Sequence, residues 1–100
     1  MLILRVLEPG SLHGYAIALR IRQLSSEVLQ VEEGSLYPAL QKMLLKGWVS
    51  AEWGISDTKR RVRFYSLTPD GRKQLNEELA GYNQVNDAIQ AVLKLAGGPA

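Results

Sequence analysis

The feature that most limits what this chain can become lies in its last third. Leu75, Leu79, Tyr82, Asn86, Ile89, Leu93 and Ala96 recur at alternating intervals of four and three residues, with Val85 and Val92 widening the band. That spacing keeps one face of a helix apolar along its whole length. Thr68-Pro69-Asp70 supplies the start. The threonine is an N-cap, the proline takes the first helical position, and the carboxylate faces the positive end of the helix dipole. Gly97-Gly98-Pro99 supplies the stop, so a helix is predicted from Pro69 to about Ala96. The body of a 100-residue chain can cover only part of such a stripe. A second copy is the expected cover, with Leu75, Leu79, Tyr82, Asn86, Ile89 and Leu93 at the interface; folding back on its own domain is the alternative. Asn86, mid-stripe, would fix the register of such a pair at some cost in stability.

Ahead of this helix the punctuation divides the chain into short elements. Leu2 to Leu7 is an apolar first helix closed by Pro9-Gly10. Ser11 to Leu24 is a second helix with Ala16, Ile17, Ala18, Ile21 and Leu24 on its apolar face and Tyr15, Leu19 and Arg22 along another stripe. Val28 to Val31 is β-branched enough for a small strand. A third helix is expected from about Glu33 to Lys46, ended by Gly47, with Ser35 placed to cap it and Pro38 tolerated near its first turn. Trp48–Trp53 and Val62–Leu67 alternate as strands do, and Gly54–Arg61 links them, with Gly54, Ser56 and Asp57 as turn formers. Three helices, a two-stranded wing and a long helix make an α+β fold, mainly α: a winged helix-turn-helix with a C-terminal dimerisation helix. The expected division is a winged helix-turn-helix domain at 1–68 and a dimerisation helix at 69–100.

Composition narrows the chemistry. The chain has no cysteine and a single histidine, His13. Thiolate metal sites and disulfides are excluded, and no second histidine exists to complete a metal centre or a nucleophile–base pair. His13, beside Gly14 at a helix start, reads as a capping or packing residue. No catalytic residue, metal or cofactor is expected. The apolar runs are only a few residues long, as in the MLIL of residues 1–4, which excludes a membrane span, and no signal peptide is visible. A cytoplasmic protein is expected.

Charge is unevenly placed. Residues 59–73 carry six cations, Lys59, Arg60, Arg61, Arg63, Arg72 and Lys73, against one carboxylate, Asp70; the other 85 residues carry six cations and nine carboxylates. A basic segment on an acidic body suits a polyanion, although a solvated hairpin tip would look the same.

The third helix sharpens this. With Leu40 at the centre of the buried face, Leu36, Met43 and Leu44 lie beside it, and the opposite face presents Gly34, Ser35, Pro38, Gln41, Lys42 and Leu45, with Tyr37 at the flank. Small residues at the N-terminus let the backbone approach a duplex, and the free N–H groups there suit a phosphate. Gln41 can pair with adenine, Lys42 with guanine or phosphate, and Tyr37 offers a ring and a hydroxyl. Glu32 and Glu33 would oppose DNA unless paired, and Arg61 or Arg63 is the expected partner. At the wing tip Lys59 and Arg60 are expected to reach phosphates or the flanking minor groove. The competing reading is a winged helix used for protein–protein contact without DNA, towards which only the apolar Leu45 leans.

LHGYAI at 12–17, EEGSLYPAL at 32–40, AEWG at 51–54 and RRVRFYSLTPDGR at 60–72, in that order, resemble the PadR family of transcriptional regulators. The resemblance implies a homodimer joined through the C-terminal helix, acting as a repressor often released by a small-molecule effector. It also implies that Tyr15, Ser35, Tyr37, Pro38, Gln41 and Lys42 lie at or near double-stranded DNA, with Lys59, Arg60 and Arg61 on the wing. The single C-terminal helix looks like the family's short-tail branch. Two departures stand out. Leu44 and Leu45 occupy places usually charged in relatives. The last helix also lacks the tryptophan on which some short-tail members stack flat drugs, since Trp48 and Trp53 both fall in the first hairpin strand.

Overall fold

A computed structural model describes residues 1–96. The elements run α1 (Leu2–Val6), β1 (Leu12–His13), α2 (Gly14–Leu24), α3 (Glu33–Leu45), β2 (Val49–Ile55), β3 (Arg61–Leu67) and α4 (Pro69–Ala96). The stop expected at Gly97-Gly98-Pro99 lies outside the described residues. The helices form one layer and the antiparallel sheet β1-β3-β2 flanks them. Between them lie Leu4, Leu7, Ile17, Leu36, Leu40 and Leu75, all fully buried, with Ile21, Val49 and Tyr65 nearly so. The apolar faces read for α2 and α3 point into this core, except that Leu24, at the end of α2, is exposed.

Three local readings change. The first concerns strands. Residues Leu12–His13 pair with β3, Leu12 opposite Tyr65 and His13 opposite Phe64, covering an edge that would otherwise be open. The segment Val28–Val31 forms no strand. Ser26 and Glu27 adopt left-handed backbone, with φ of 53° and 66°, and the Leu29 N–H donates to Ser25 Oγ at 3.0 Å. That bond and the two left-handed residues hold the segment in an irregular turn.

The second concerns the start of α3. The helix begins at Glu33 with Glu32 in the capping position, and no side chain caps it. Ser35 is therefore its third residue and not its cap, and Pro38 is its sixth. Gly47, in left-handed backbone with φ of 74°, closes the end of α3 as expected.

The third concerns the hairpin. β2 begins after Trp48, and the ladder runs from Val49–Leu67 to Ile55–Arg61, so Gly54 and Arg61 lie in the strands and not in the turn. Gly54 faces Phe64: a Cβ there would come within 2.6 Å of the ring. Its lack of a side chain makes room for that ring. The turn itself is Ser56–Arg60, closed by Ser56 N–H to the Arg60 carbonyl at 2.8 Å and Lys59 N–H to the Ser56 carbonyl at 2.9 Å. Lys59 holds φ of 60° to make it.

α4 is rooted in the body and then leaves it. Thr68 Oγ1 accepts from the Gly71 N–H at 3.0 Å and donates to the Gly47 carbonyl at 2.6 Å, while the Thr68 N–H donates to the Trp48 carbonyl at 3.1 Å. One residue thus caps α4 and fastens it to the turn after α3. Arg72 pairs with Glu8 at 3.1 Å, so this cation serves the fold and not the basic wing. Leu75 is fully buried and Leu79 packs against the same core. This corrects the expectation that Leu75 belongs to a seam between copies: its face is filled by its own domain. After Leu79 comes Gly81, with open space around it, and then the exposed Tyr82, Val85, Ile89, Val92 and Leu93. The 28-residue α4 is about 42 Å long, which accounts for the elongated outline of 61 × 28 × 22 Å. Its far half does not fold back onto the body.

Candidate nucleic-acid interface

Burial of Leu36 and Leu40 sets the rotation of α3. The rest follows from the 3.6-residue repeat. Gly34, Ser35, Pro38, Gln41, Lys42 and Leu45 are all exposed on the outward face, and Tyr37 stands half-exposed at its flank. No side chain caps the start of α3 beside the small Gly34 and Ser35. The Ser35 and Leu36 N–H groups both donate to the Glu32 carbonyl at 3.0 Å, and those of Glu33 and Gly34 have no partner among the described residues, a combination suited to an anion.

Two clefts flank this face and share Tyr37. One, of about 480 Å³, lies between the starts of α2 and α3 and the wing turn, and is lined by His13, Tyr15, Glu33, Tyr37, Ser56, Thr58, Arg60 and Val62. The other, of about 370 Å³, lies between α3 and the wing sheet, and is lined by Tyr37, Gln41, Trp53, Arg61, Val62, Arg63 and Tyr65. The fold thus gathers Tyr15, Tyr37 and Arg60 around one recess and Tyr37, Gln41 and Arg61 around the other. Gly34, Ser35, Pro38, Lys42 and Lys59 line neither cleft and stand on the outer surface.

Tyr37 is held from behind. Its ring lies against Gly14, where an added Cβ would stand 3.0 Å from the phenolic oxygen. Burial first, then the negative charge of Glu33, and then Tyr65, push its phenol above the ordinary value. At neutral pH it is therefore a hydrogen-bond donor. His13 positions the neighbouring element. Its Nδ1 accepts the Ala16 N–H at 3.3 Å and so caps α2, and its ring stacks on Tyr15 with centroids 6.4 Å apart. The capping role read for His13 is what the structure has. Because Nδ1 is the acceptor, the ring proton of neutral His13 sits on Nε2.

The expected pairing of Glu32 or Glu33 with Arg61 or Arg63 is absent. Among the described residues the ion pairs join the N-terminal amine to Glu78, Arg5 and Arg72 to Glu8, and Arg22 to Glu27. Lys42, Lys59, Arg60, Arg61 and Arg63 are in none of them. Arg61 instead lies over the Trp53 ring, its guanidinium carbon 4.6 Å from the ring centroid. Trp53 and Arg63 line the second cleft, and sequence reasoning singled out neither as a site residue. The signal was available: positions 53, 61 and 63 share one face of the hairpin once Trp53 is set opposite Arg63. Among the described residues, no cluster of three or more histidine and acidic side chains is arranged to hold a metal, and no helix is long and apolar enough to cross a membrane.

Comparison with known proteins agrees with this architecture. The family model described as the transcriptional regulator PadR-like family matches residues 3–77. The chain is 25% identical over 88 residues to the negative transcriptional regulator PadR of Bacillus subtilis, covering 88% of this chain and 48% of that protein. It therefore spans about half the length of that relative. Among solved structures, a PadR family transcription regulator from Clostridium difficile aligns with a TM-score of 0.80 and 26% identity, over 92% of this chain and 94% of the other. Bacillus subtilis PadR in complex with operator DNA aligns with a TM-score of 0.70 and 28% identity, over 78% of this chain and 44% of the other.

Proposed function

The chain belongs to the PadR-like family of transcriptional regulators, a family of regulators and not of enzymes, and from that premise we propose that it regulates transcription by gripping double-stranded DNA with α3 and the wing. The observation that carries this is the uncapped start of α3 and its polar outward face, standing beside wing cations that no carboxylate neutralises among the described residues. In this reading Gly34, Ser35 and Pro38 allow close approach at the groove. Gln41 reads a base edge, and Lys42, Tyr15 and Tyr37 bind phosphate or base. Lys59, Arg60 and Arg61 hold the flanking backbone. The Bacillus subtilis relative, a negative regulator whose complex with operator DNA is known, supports the same assignment.

We further propose a homodimer that acts as a repressor on an inverted-repeat operator and answers to a small-molecule effector. The seam is the exposed part of α4 from Tyr82 through Asn86 and Ile89 to Leu93. A single chain leaves that stripe in water, where it exposes Val85, Ile89, Val92 and Leu93 together. The functional division then falls inside α4: its first three turns, Pro69 through Leu79, complete the winged helix, and the remainder joins the copies. Two-fold pairing would set two α3 helices in successive major grooves, about 34 Å apart.

Selection of bound duplexes from a random pool, followed by anisotropy titration at low and high salt, tests the whole reading. The expected result is a two-fold symmetric motif with half-sites about one helical turn apart and an affinity that falls steeply with salt. Enrichment of no sequence and no binding at low salt would leave a protein-docking winged helix as the better reading.

A further inference from the structure

The wing carries a device that its tip cations do not explain. Trp53 on β2 stands directly opposite Arg63 on β3, and Arg61 is two residues along β3 on the same face. The Arg61 guanidinium lies 4.6 Å and the Arg63 guanidinium 5.8 Å from the Trp53 ring centroid. Arg63 is also 5.9 Å from the ring of Tyr65. One indole therefore serves two cations.

A guanidinium carries its five N–H donors in its plane, at the rim. Stacking on a ring uses its face and leaves the rim free, so an arginine held this way is oriented without being consumed. An arginine oriented by a carboxylate would have its donors occupied. Neither Arg61 nor Arg63 touches a carboxylate among the described residues. Glu52, the nearest acid along β2, stands opposite Phe64, on the other face of the hairpin. Arg63 Nε is buried and donates to no acceptor among the described residues, so its terminal Nη groups are the donors left for a partner. Trp53 itself is 61% exposed, so the indole and the cations beside it are open to a partner that comes to lie on the wing. Both cations open onto the cleft that also holds Gln41 of α3.

We propose that Trp53 is a positioning residue for DNA binding, holding the Arg61 and Arg63 guanidinium groups edge-outward on the wing so that they meet backbone phosphates beside the groove that Gln41 reads. This rests on the DNA-binding reading above. It adds to that reading a second row of phosphate contacts on the strands, distinct from the Lys59–Arg60 turn. Pre-orientation matters because a free arginine gives up its rotamer freedom on binding. The indole removes part of that loss before DNA arrives.

The test is a double-mutant cycle with a fluorescein-labelled duplex of random sequence, using the whole chain. Trp53→Leu is expected to weaken binding about three- to tenfold, Trp53→Phe to recover part of the loss, and Arg61→Ala to weaken binding and lower the salt slope by about one. In the Arg61→Ala background the Trp53→Leu effect should shrink to the share of Arg63, and it should vanish when Arg63→Ala is added. In the DNA-free protein, the Arg61 Nε–H proton resonance should carry a ring-current shift that Trp53→Leu abolishes. If Trp53→Leu fails to fold, the same cycle run with Trp53→Phe is expected to give a smaller coupled loss. A Trp53 effect that is absent, or that persists undiminished beside Arg61→Ala, overturns the proposal while DNA binding by the native protein stands. No binding of the native protein at low salt overturns both.

Discussion

Gly71 lies directly against the backbone of Trp48: a Cβ at Gly71 would stand 1.9 Å from the Trp48 carbonyl oxygen. That oxygen also accepts the Thr68 N–H at 3.1 Å, so it cannot retreat without breaking the root of α4. Gly71→Ala is therefore expected to lower stability by about 3 kcal/mol, read by urea denaturation. A loss under about 1 kcal/mol would show that α4 can shift on its seat.

Gly14 plays a gentler version of this role beneath Tyr37. The neighbour here is a side chain that can swing aside, its phenolic oxygen 3.0 Å from where the methyl would be. Gly14→Ala should leave stability within about 1 kcal/mol of the native protein, because alanine favours the helix as the contact disfavours it. The displaced Tyr37 should cost several-fold in DNA affinity. Unchanged affinity in an anisotropy titration would remove Tyr37 from the interface.

Base reading and backbone holding separate by their salt response. Gln41→Ala should relax preference at one base pair in each half-site, by about 1–3 kcal/mol, with the salt slope intact. Lys59→Ala with Arg60→Ala should weaken binding to every sequence alike and reduce the salt slope by about two. Swapped outcomes, with selectivity lost at the wing and slope lost at α3, would reverse the assignment.

The two halves of α4 should answer differently to substitution. Leu75→Ala opens a cavity in the core and should cost about 2–5 kcal/mol of stability. Ile89→Asp, on the exposed half, should leave the helical circular dichroism intact yet give a monomer in sedimentation, with weakened DNA binding. Ile89→Asp that stays dimeric would place the seam elsewhere.

Much of this was open to a reader of the sequence, for identifiable reasons. Leu36, Leu40 and Gly47 fix the span and rotation of α3 through local periodicity and a local stop, and Thr68-Pro69 does the same for the start of α4. What escaped was non-local. β1 exists only because Leu12 meets Tyr65, more than fifty positions along the chain, and two residues carry no periodicity of their own. Val28–Val31 has the composition of a strand but finds no partner. Gly54 looked like a turn former because glycine usually is one; its reason is the Phe64 ring across the ladder. The charges of Arg61 and Arg63 were visible. That they would rest on an indole and not on Glu32 or Glu33 depended on a register that composition does not carry.

The bare surroundings of Gly81 have a mechanical consequence. Just inside it, Leu79 is still gripped by the core; just outside, Tyr82 and Val85 are exposed, and no packed neighbour among the described residues braces the rod. Glycine weakens a helix by about 1 kcal/mol relative to alanine, so this turn is where α4 is expected to bend first, like a flexure between a clamped beam and its free end. Gly81→Ala should stiffen the joint and raise the helix's thermal midpoint. In the proposed dimer, any signal that alters how the two tails cross would then reach α3 through bending at Gly81, and not through loosening of the clamp.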